Sequence, residues 1–214
     1  MVLKVAGAAR GLVAAKTLVH LLCLAPAAWL GWRIWLEFST GDGGLGADPV
    51  AAIEHELGIW ALRLLLATLA ITPLRHWTGQ TVLLRFRRML GLYAFAYATL
   101  HLTAYLVLDL RGYWAQVFED IAERPYITVG MAAWLLLVPL ALTSTKAAIR
   151  ALGRNWARLH KLVYAIAVLA VLHFWWLVKS DIREPLLYAA ILAVLLGWRA
   201  WHAWRRRVPR PRAA

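Results

Sequence analysis

The sequence predicts an all-α integral membrane protein, a six-helix transmembrane bundle with both termini cytoplasmic, and three observations carry that expectation. Of 214 residues, 62% are hydrophobic and 16% are charged, against roughly half and about a quarter in an average soluble domain. Six stretches are long and apolar enough to cross a hydrocarbon layer of roughly 30 Å, which takes about 20 residues of helix. The charges are sorted by segment rather than scattered. Disorder is excluded by the same composition. The lone Cys23 excludes an internal disulfide framework, a Cys-ligated zinc site and an iron–sulfur motif.

The spans fall at about 17–36, 57–74, 90–110, 126–143, 160–178 and 186–204. The first begins after Lys16 and runs through Trp29, Trp32 and Ile34. Its Ala25-Pro26-Ala27 imitates a signal-peptide cleavage site, but the apolar run continues too far beyond it for a simple leader. The second and fourth are the shortest and end near Pro73 and Pro139, where a proline is tolerable. Gly41-Asp42-Gly43-Gly44-Leu45-Gly46, between the first two spans, reads as a turn-forming loop. It does not join a strand to a helix, so it is no nucleotide-binding fingerprint. Residues 1–16 form an N-terminal segment, 17–204 the transmembrane domain and 205–214 a basic tail, with no connection long enough for a soluble domain.

Charge orients the bundle. The N-terminus, the 75–88 loop, the 146–161 segment and the tail hold 18 of the 24 Lys and Arg and no acid. All 11 acids sit at the other three connections or the adjoining helix ends. Lys and Arg accumulate on the cytoplasmic side, so the net charge of +13 reflects membrane topology, and no nucleic acid is implied. The 13 Trp gather toward span ends, as an interfacial aromatic belt does.

Histidine inside a membrane is costly unless it pairs or coordinates. His101 lies about 12 residues into the third span, roughly 18 Å deep at 1.5 Å per residue. His173 lies 13 residues into the fifth, roughly 20 Å deep. Two imidazoles at one level on separate helices are what bis-histidine ligation of a b-type haem requires. The plainer reading is that each hydrogen-bonds a neighbouring helix. His160, at the cytoplasmic end of the fifth span, points about 140° from His173 in an ideal helix, so one helix can serve two haems at different depths. The third span offers Arg88 where a matching inner ligand would stand, leaving His20, and then His76, as substitutes. His202 reads as interfacial and His55 as solvated. Arg33 is expected to snorkel, and Arg63, about six residues inside its span, is expected to pair with a haem propionate.

Leu142-Thr143-Ser144, the run from Trp156 to Tyr164 and the following His173 resemble the ferric-reductase-like transmembrane domain shared with NADPH oxidases. Within that superfamily the chain is similar to the haem-binding membrane subunits (MsrQ, or YedZ) of bacterial periplasmic methionine sulfoxide reductase systems. Gly43 to Pro49, Arg87 to Leu92, Ala98 to Thr103 and Arg124-Pro125-Tyr126 carry that likeness, in the right order along nearly the whole chain. The resemblance implies one or two b-type haems, with His101, His160 and His173 at ligand positions, and an FMN. It implies electrons from the quinone pool or a cytosolic flavin reductase. It further implies a bacterial inner-membrane location and delivery to a periplasmic molybdopterin catalytic subunit of the MsrP type, which repairs oxidised proteins. Arg88 departs from the oxidase pattern. Only about ten residues follow Trp204, so the chain is expected to lack flavin and nicotinamide domains and to take electrons from a separate donor. Its loops leave no room for substrate chemistry of their own. The rival classes are a haem-handling or transport protein and a non-redox membrane scaffold.

Overall fold

A computed structural model describes residues 2–178 and 180–207, with the side chains of 2–10 and of Arg207 outside the described set. Residues 208–214, most of the expected basic tail, also lie outside it. Among the described residues there is no strand. The chain runs through α1 (Val2–Thr40), α2 (Pro49–Thr78), α3 (Leu84–Ala104), α4 (Gln116–Glu123), α5 (Pro125–Leu142), α6 (Lys146–Leu152), α7 (Arg154–Leu159), α8 (Leu162–Leu177) and α9 (Arg183–Arg207). Six helical stretches are long and apolar enough to cross a membrane: Gly11–Thr40, Pro49–Thr78, Thr81–Asp109, Pro125–Leu142, Arg154–Leu177 and Arg183–Arg206. They match the six expected spans, and the first two helices extend well beyond them.

Local chemistry sets the boundaries. Asp48 caps α2 by accepting from the Ala51 N–H at 3.0 Å, and Pro49 occupies the first turn. Gly79 ends α2 in the left-handed region at φ 70°. The Gly41–Gly46 loop turns as expected, with Gly41, Gly44 and Gly46 at positive φ. Gly43 is fixed by crowding, since a Cβ there would strike the Arg33 carbonyl and Glu37. The Arg33 guanidinium reaches the connection beyond α1, donates to the carbonyls of Gly43 and Gly44 and pins this loop to the end of α1.

The tightest packing lies within two antiparallel hairpins, α2 with α3 and α5 with α8. Together they form the four-helix core, with Leu69, Ile166 and Ala167 wholly buried. α1 and α9 lie outside it. α1 exposes Leu18, Leu21, Leu22, Trp29, Trp32 and Trp35 on several faces, which only an apolar surrounding makes favourable.

Two prolines interrupt the peripheral contacts, and polar side chains repair the damage. Near Pro26 the Tyr97 hydroxyl accepts from the Ala27 N–H at 3.0 Å and donates to the Cys23 carbonyl at 2.7 Å, entering the α1 ladder. Pro73 has no N–H for the Leu69 carbonyl four residues earlier. Arg199 of α9 donates to that carbonyl and to Leu195, and lies over the Tyr164 ring at 5.5 Å. A charge-assisted bond of this kind contributes roughly 1.5–3 kcal/mol. Arg199→Leu is expected to lower the thermal unfolding midpoint of the purified protein by several degrees, more than Arg205→Leu at the exposed end of the same helix.

Candidate haem-binding cavity

The α2–α3 and α5–α8 hairpins enclose a cavity of about 480 Å³. Small residues make the space: Gly58 and Ala61 on α2, Ala94 and Ala98 on α3, Gly130 and Ala133 on α5, and Ala170 on α8. Leu62, Leu65, Leu137 and Ile166 make the rest of its wall largely apolar. Pockets of 300–1,000 Å³ with an apolar lining and a few convergent polar groups are the usual form of a cofactor site.

His101 of α3 and His173 of α8 face each other inside this cavity with ring centroids 6.0 Å apart. An imidazole nitrogen bonds a first-row metal at roughly 2 Å, and its ring centre lies about 1 Å further, so two imidazoles on opposite sides of one iron have centroids about 6 Å apart. The spacing fits a shared iron and is too wide for a direct hydrogen bond between the rings. The tautomer fits as well. His101 Nδ1 donates to the Glu54 carbonyl at 2.9 Å, and His173 Nδ1 donates to the Tyr126 carbonyl at 2.7 Å. A carbonyl can only accept, so each Nδ1 carries the proton and each Nε2 keeps its lone pair for a metal.

The two halves repeat one device. In each hairpin the carbonyl precedes its histidine by 47 residues. In each, a glycine four residues after the carbonyl lies against the ring. A Cβ on Gly58 would sit 3.2 Å from His101, and one on Gly130 would sit 2.7 Å from His173 Nδ1.

The polar end of the cavity opens among the acidic connections. Glu54, His55, Tyr105, Asp109, Arg124 and Tyr126 line it. Asp120, 3% exposed on α4, accepts from the Tyr105 hydroxyl at 2.6 Å and pairs with Arg124 at 3.3 Å. The last turns of the third span widen to a π-helix over Tyr105–Asp109, which brings Tyr105 to this network. Arg63, the expected propionate partner, points elsewhere: it donates to Tyr188 of α9 at 2.8 Å and lies 5.0 Å over Trp60. It does not line the cavity, because its position on α2 faces α9. Arg124 stands at the mouth instead. In the sequence, Asp120 four residues before Arg124 is the signal that could have found it. His55, expected to be solvated, also lines the mouth and lies 3.7 Å from Glu184.

His160 stands apart, at the basic end. Its ring stacks on Trp156 at 4.0 Å, its Nδ1 donates to the Trp156 carbonyl at 3.1 Å, and its Nε2 is buried without a partner. His20 is bonded through Nδ1 to the Tyr93 hydroxyl of α3 at 2.8 Å. His76 turns to His202 and Trp198 of α9. Arg88 is exposed, and the half-buried Arg87 beside it is the arginine whose charge reaches His160.

A family model described as "Ferric reductase like transmembrane component" matches residues 57–171. The protein-methionine-sulfoxide reductase heme-binding subunit MsrQ of Xanthomonas axonopodis pv. citri (strain 306) is 71% identical over 189 residues, covering 88% of this chain and 87% of the relative. The subunit of the same name from Caulobacter vibrioides is 49% identical over 189 residues with the same coverage. No solved structure matches.

The contact distances make a graded prediction. Gly130→Ala should drive the His173 ring off the Tyr126 carbonyl and cost at least half the haem retained through purification. Gly58→Ala, with its looser contact, should retain most of it, as read by pyridine haemochrome.

Proposed function

This chain belongs to the MsrQ family of heme-binding subunits within the ferric reductase-like transmembrane proteins, and on that premise we propose that it carries electrons through b-type haem from the cytoplasmic to the periplasmic side of a bacterial inner membrane. In this reading the donor is the quinone pool or a cytosolic flavin reductase. The acceptor is a periplasmic molybdopterin methionine sulfoxide reductase that repairs oxidised proteins. The observation that carries the reading is the His101–His173 pair, two imidazoles on separate helices with free Nε2 atoms and centroids 6.0 Å apart in an apolar cavity.

Bound haem supplies a one-electron couple between ferric and ferrous iron. His101 and His173 hold it, and their bonds to the Glu54 and Tyr126 carbonyls fix the ring planes and raise the basicity of the ligating nitrogens. The aliphatic wall excludes water. Arg124, held by buried Asp120, supplies a cation for the carboxylates on the porphyrin edge. His160 holds a second haem nearer the basic end, its orphaned Nε2 being the atom available for it. Among the described residues no second imidazole is in ring contact with His160.

A reduced-minus-oxidised optical spectrum of the purified protein tests this. Sharp low-spin b-type bands that persist through purification are expected. Haem that washes out would favour a transport role, and its absence after expression with ample supply would leave a scaffold. His101→Ala and His173→Ala should each remove the same haem, and His160→Ala should remove the other while leaving the first spectrum intact. Arg124→Ala should weaken haem retention several-fold where Arg63→Ala does not. Alkaline phosphatase fused after residue 45 or 115 should be active, and after residue 80 or 150 inactive.

A further inference from the structure

Four helices wall the cavity, and the two seams between its hairpins are closed in different ways. α9 lies against both α2 and α8 and covers the seam between them. It is fastened there by Tyr188 to Arg63 at 2.8 Å and by Arg199 to the Leu69 carbonyl, with Tyr188 and Leu192 buried. The opposite seam, between α3 and α5, has no such cover. α1 lies against α2 and α3, and among the described residues no peripheral helix packs across α3 and α5 in the same way. α4 crosses only the acidic end of that seam, where Asp120 joins Tyr105 to Arg124.

Midway along the uncovered seam, the closing side chain is Trp134 of α5. It lines the cavity, stacks on Phe95 of α3 at 6.4 Å, and donates from Nε1 to the Thr99 hydroxyl at 3.1 Å. That hydroxyl donates in turn to the Phe95 carbonyl at 2.9 Å, so a lone pair is what it offers to the indole. On the outer side of these residues, Leu100 and Leu135 are 47% and 56% exposed, an apolar approach from the bilayer. The helix behind Trp134 is weakened. Pro139 has no N–H for the carbonyl of Leu135, the residue next to Trp134, so this turn can yield.

Resting on the haem-binding reading above, we propose that the α3–α5 seam is a sideways portal for haem between bilayer and cavity, with Trp134 as its gate and the Thr99 hydroxyl as its latch. Haem is a broad, largely apolar plate that dissolves in lipid. The acidic mouth is a poor way in for it, because Glu54 and Asp109 line that end and repel the carboxylates of the porphyrin edge. The Asp120–Tyr105–Arg124 network also stands across the mouth. A sideways path keeps the plate among apolar side chains.

The full-length, haem-loaded protein in lipid nanodiscs is mixed with excess mesohaem dissolved in the lipid. Exchange of the bound porphyrin is followed by extraction and mass spectrometry. Thr99→Val and Trp134→Phe, which break the latch and keep an apolar side chain in the wall, should each exchange at least threefold faster than the wild type. The double variant should be no faster than the faster single variant, because both changes break one bond. Tyr188→Phe, which loosens the covered seam, should leave the rate unchanged. All variants should keep the wild-type dithionite-reduced spectrum. Mesohaem dimethyl ester, uncharged and confined to the lipid, should enter the wild-type protein at a rate comparable to mesohaem. Rates indifferent to both latch variants, additive effects in the double variant, equal acceleration by Tyr188→Phe, or exclusion of the ester overturns the portal. The ester comparison stands on its own if a variant does not fold. A protein that holds no haem refutes the haem-binding reading, whereas a haem-loaded protein giving any of those results refutes only the portal.

Discussion

Two backbone carbonyls, on helices next to those that carry the histidines, fix the chemistry of this molecule. The Glu54 and Tyr126 carbonyls belong to α2 and α5, and each claims the Nδ1 proton of a histidine across its hairpin. In water an imidazole exchanges tautomers freely; here the choice is made before any ligand arrives. Each ring is also pressed between its carbonyl and a glycine. The four helices of the core must therefore keep their register to within a fraction of an ångström, and the dense packing of α2 on α3 and of α5 on α8 is what does so. Everything else about the cavity, its small residues and its apolar wall, follows from keeping two rings at a distance that a metal can bridge and a hydrogen bond cannot.

Membrane helices have no water to satisfy a broken backbone ladder. This chain breaks its ladder at Pro26 and Pro73 and uses the freed groups as attachment points. Tyr97 enters α1, and Arg199 reaches from α9 into α2. The two peripheral helices are thereby joined to the core by hydrogen bonds as well as by the burial of Leu30 on α1 and Leu192 on α9. The same economy appears at the Gly41–Gly46 loop, where Arg33 is spent on loop carbonyls.

Charge asymmetry divides the molecule into two chemically distinct ends. At the acidic end the cavity opens among Glu54, Asp109, Arg124 and Tyr126, with buried Asp120 holding the one arginine in place. At the basic end the polar features are imidazoles with unmet nitrogens, His160 and His202, set among tryptophans and arginines. In the proposed function these two ends are the entry and the exit for electrons.

Periodic and compositional signals were enough to read the architecture: six spans, though the second was expected at about 57–74 and runs from Pro49 to Thr78, and the equal depth of His101 and His173, since rise per residue converts sequence distance into height. Height is not direction. Arg63 lies at a suitable depth yet faces Tyr188, and His76 lies at a suitable depth yet faces His202. Which way a side chain points depends on helix rotation and on neighbours distant in sequence, and those are settled only when the hairpins pack. The sequence by itself determined that two imidazoles share a level inside an apolar bundle. Only the tertiary structure decided that they face each other, that Nε2 is the free nitrogen on both, and that Arg124 rather than Arg63 guards the mouth, because each of these is a contact between helices and no single helix contains it.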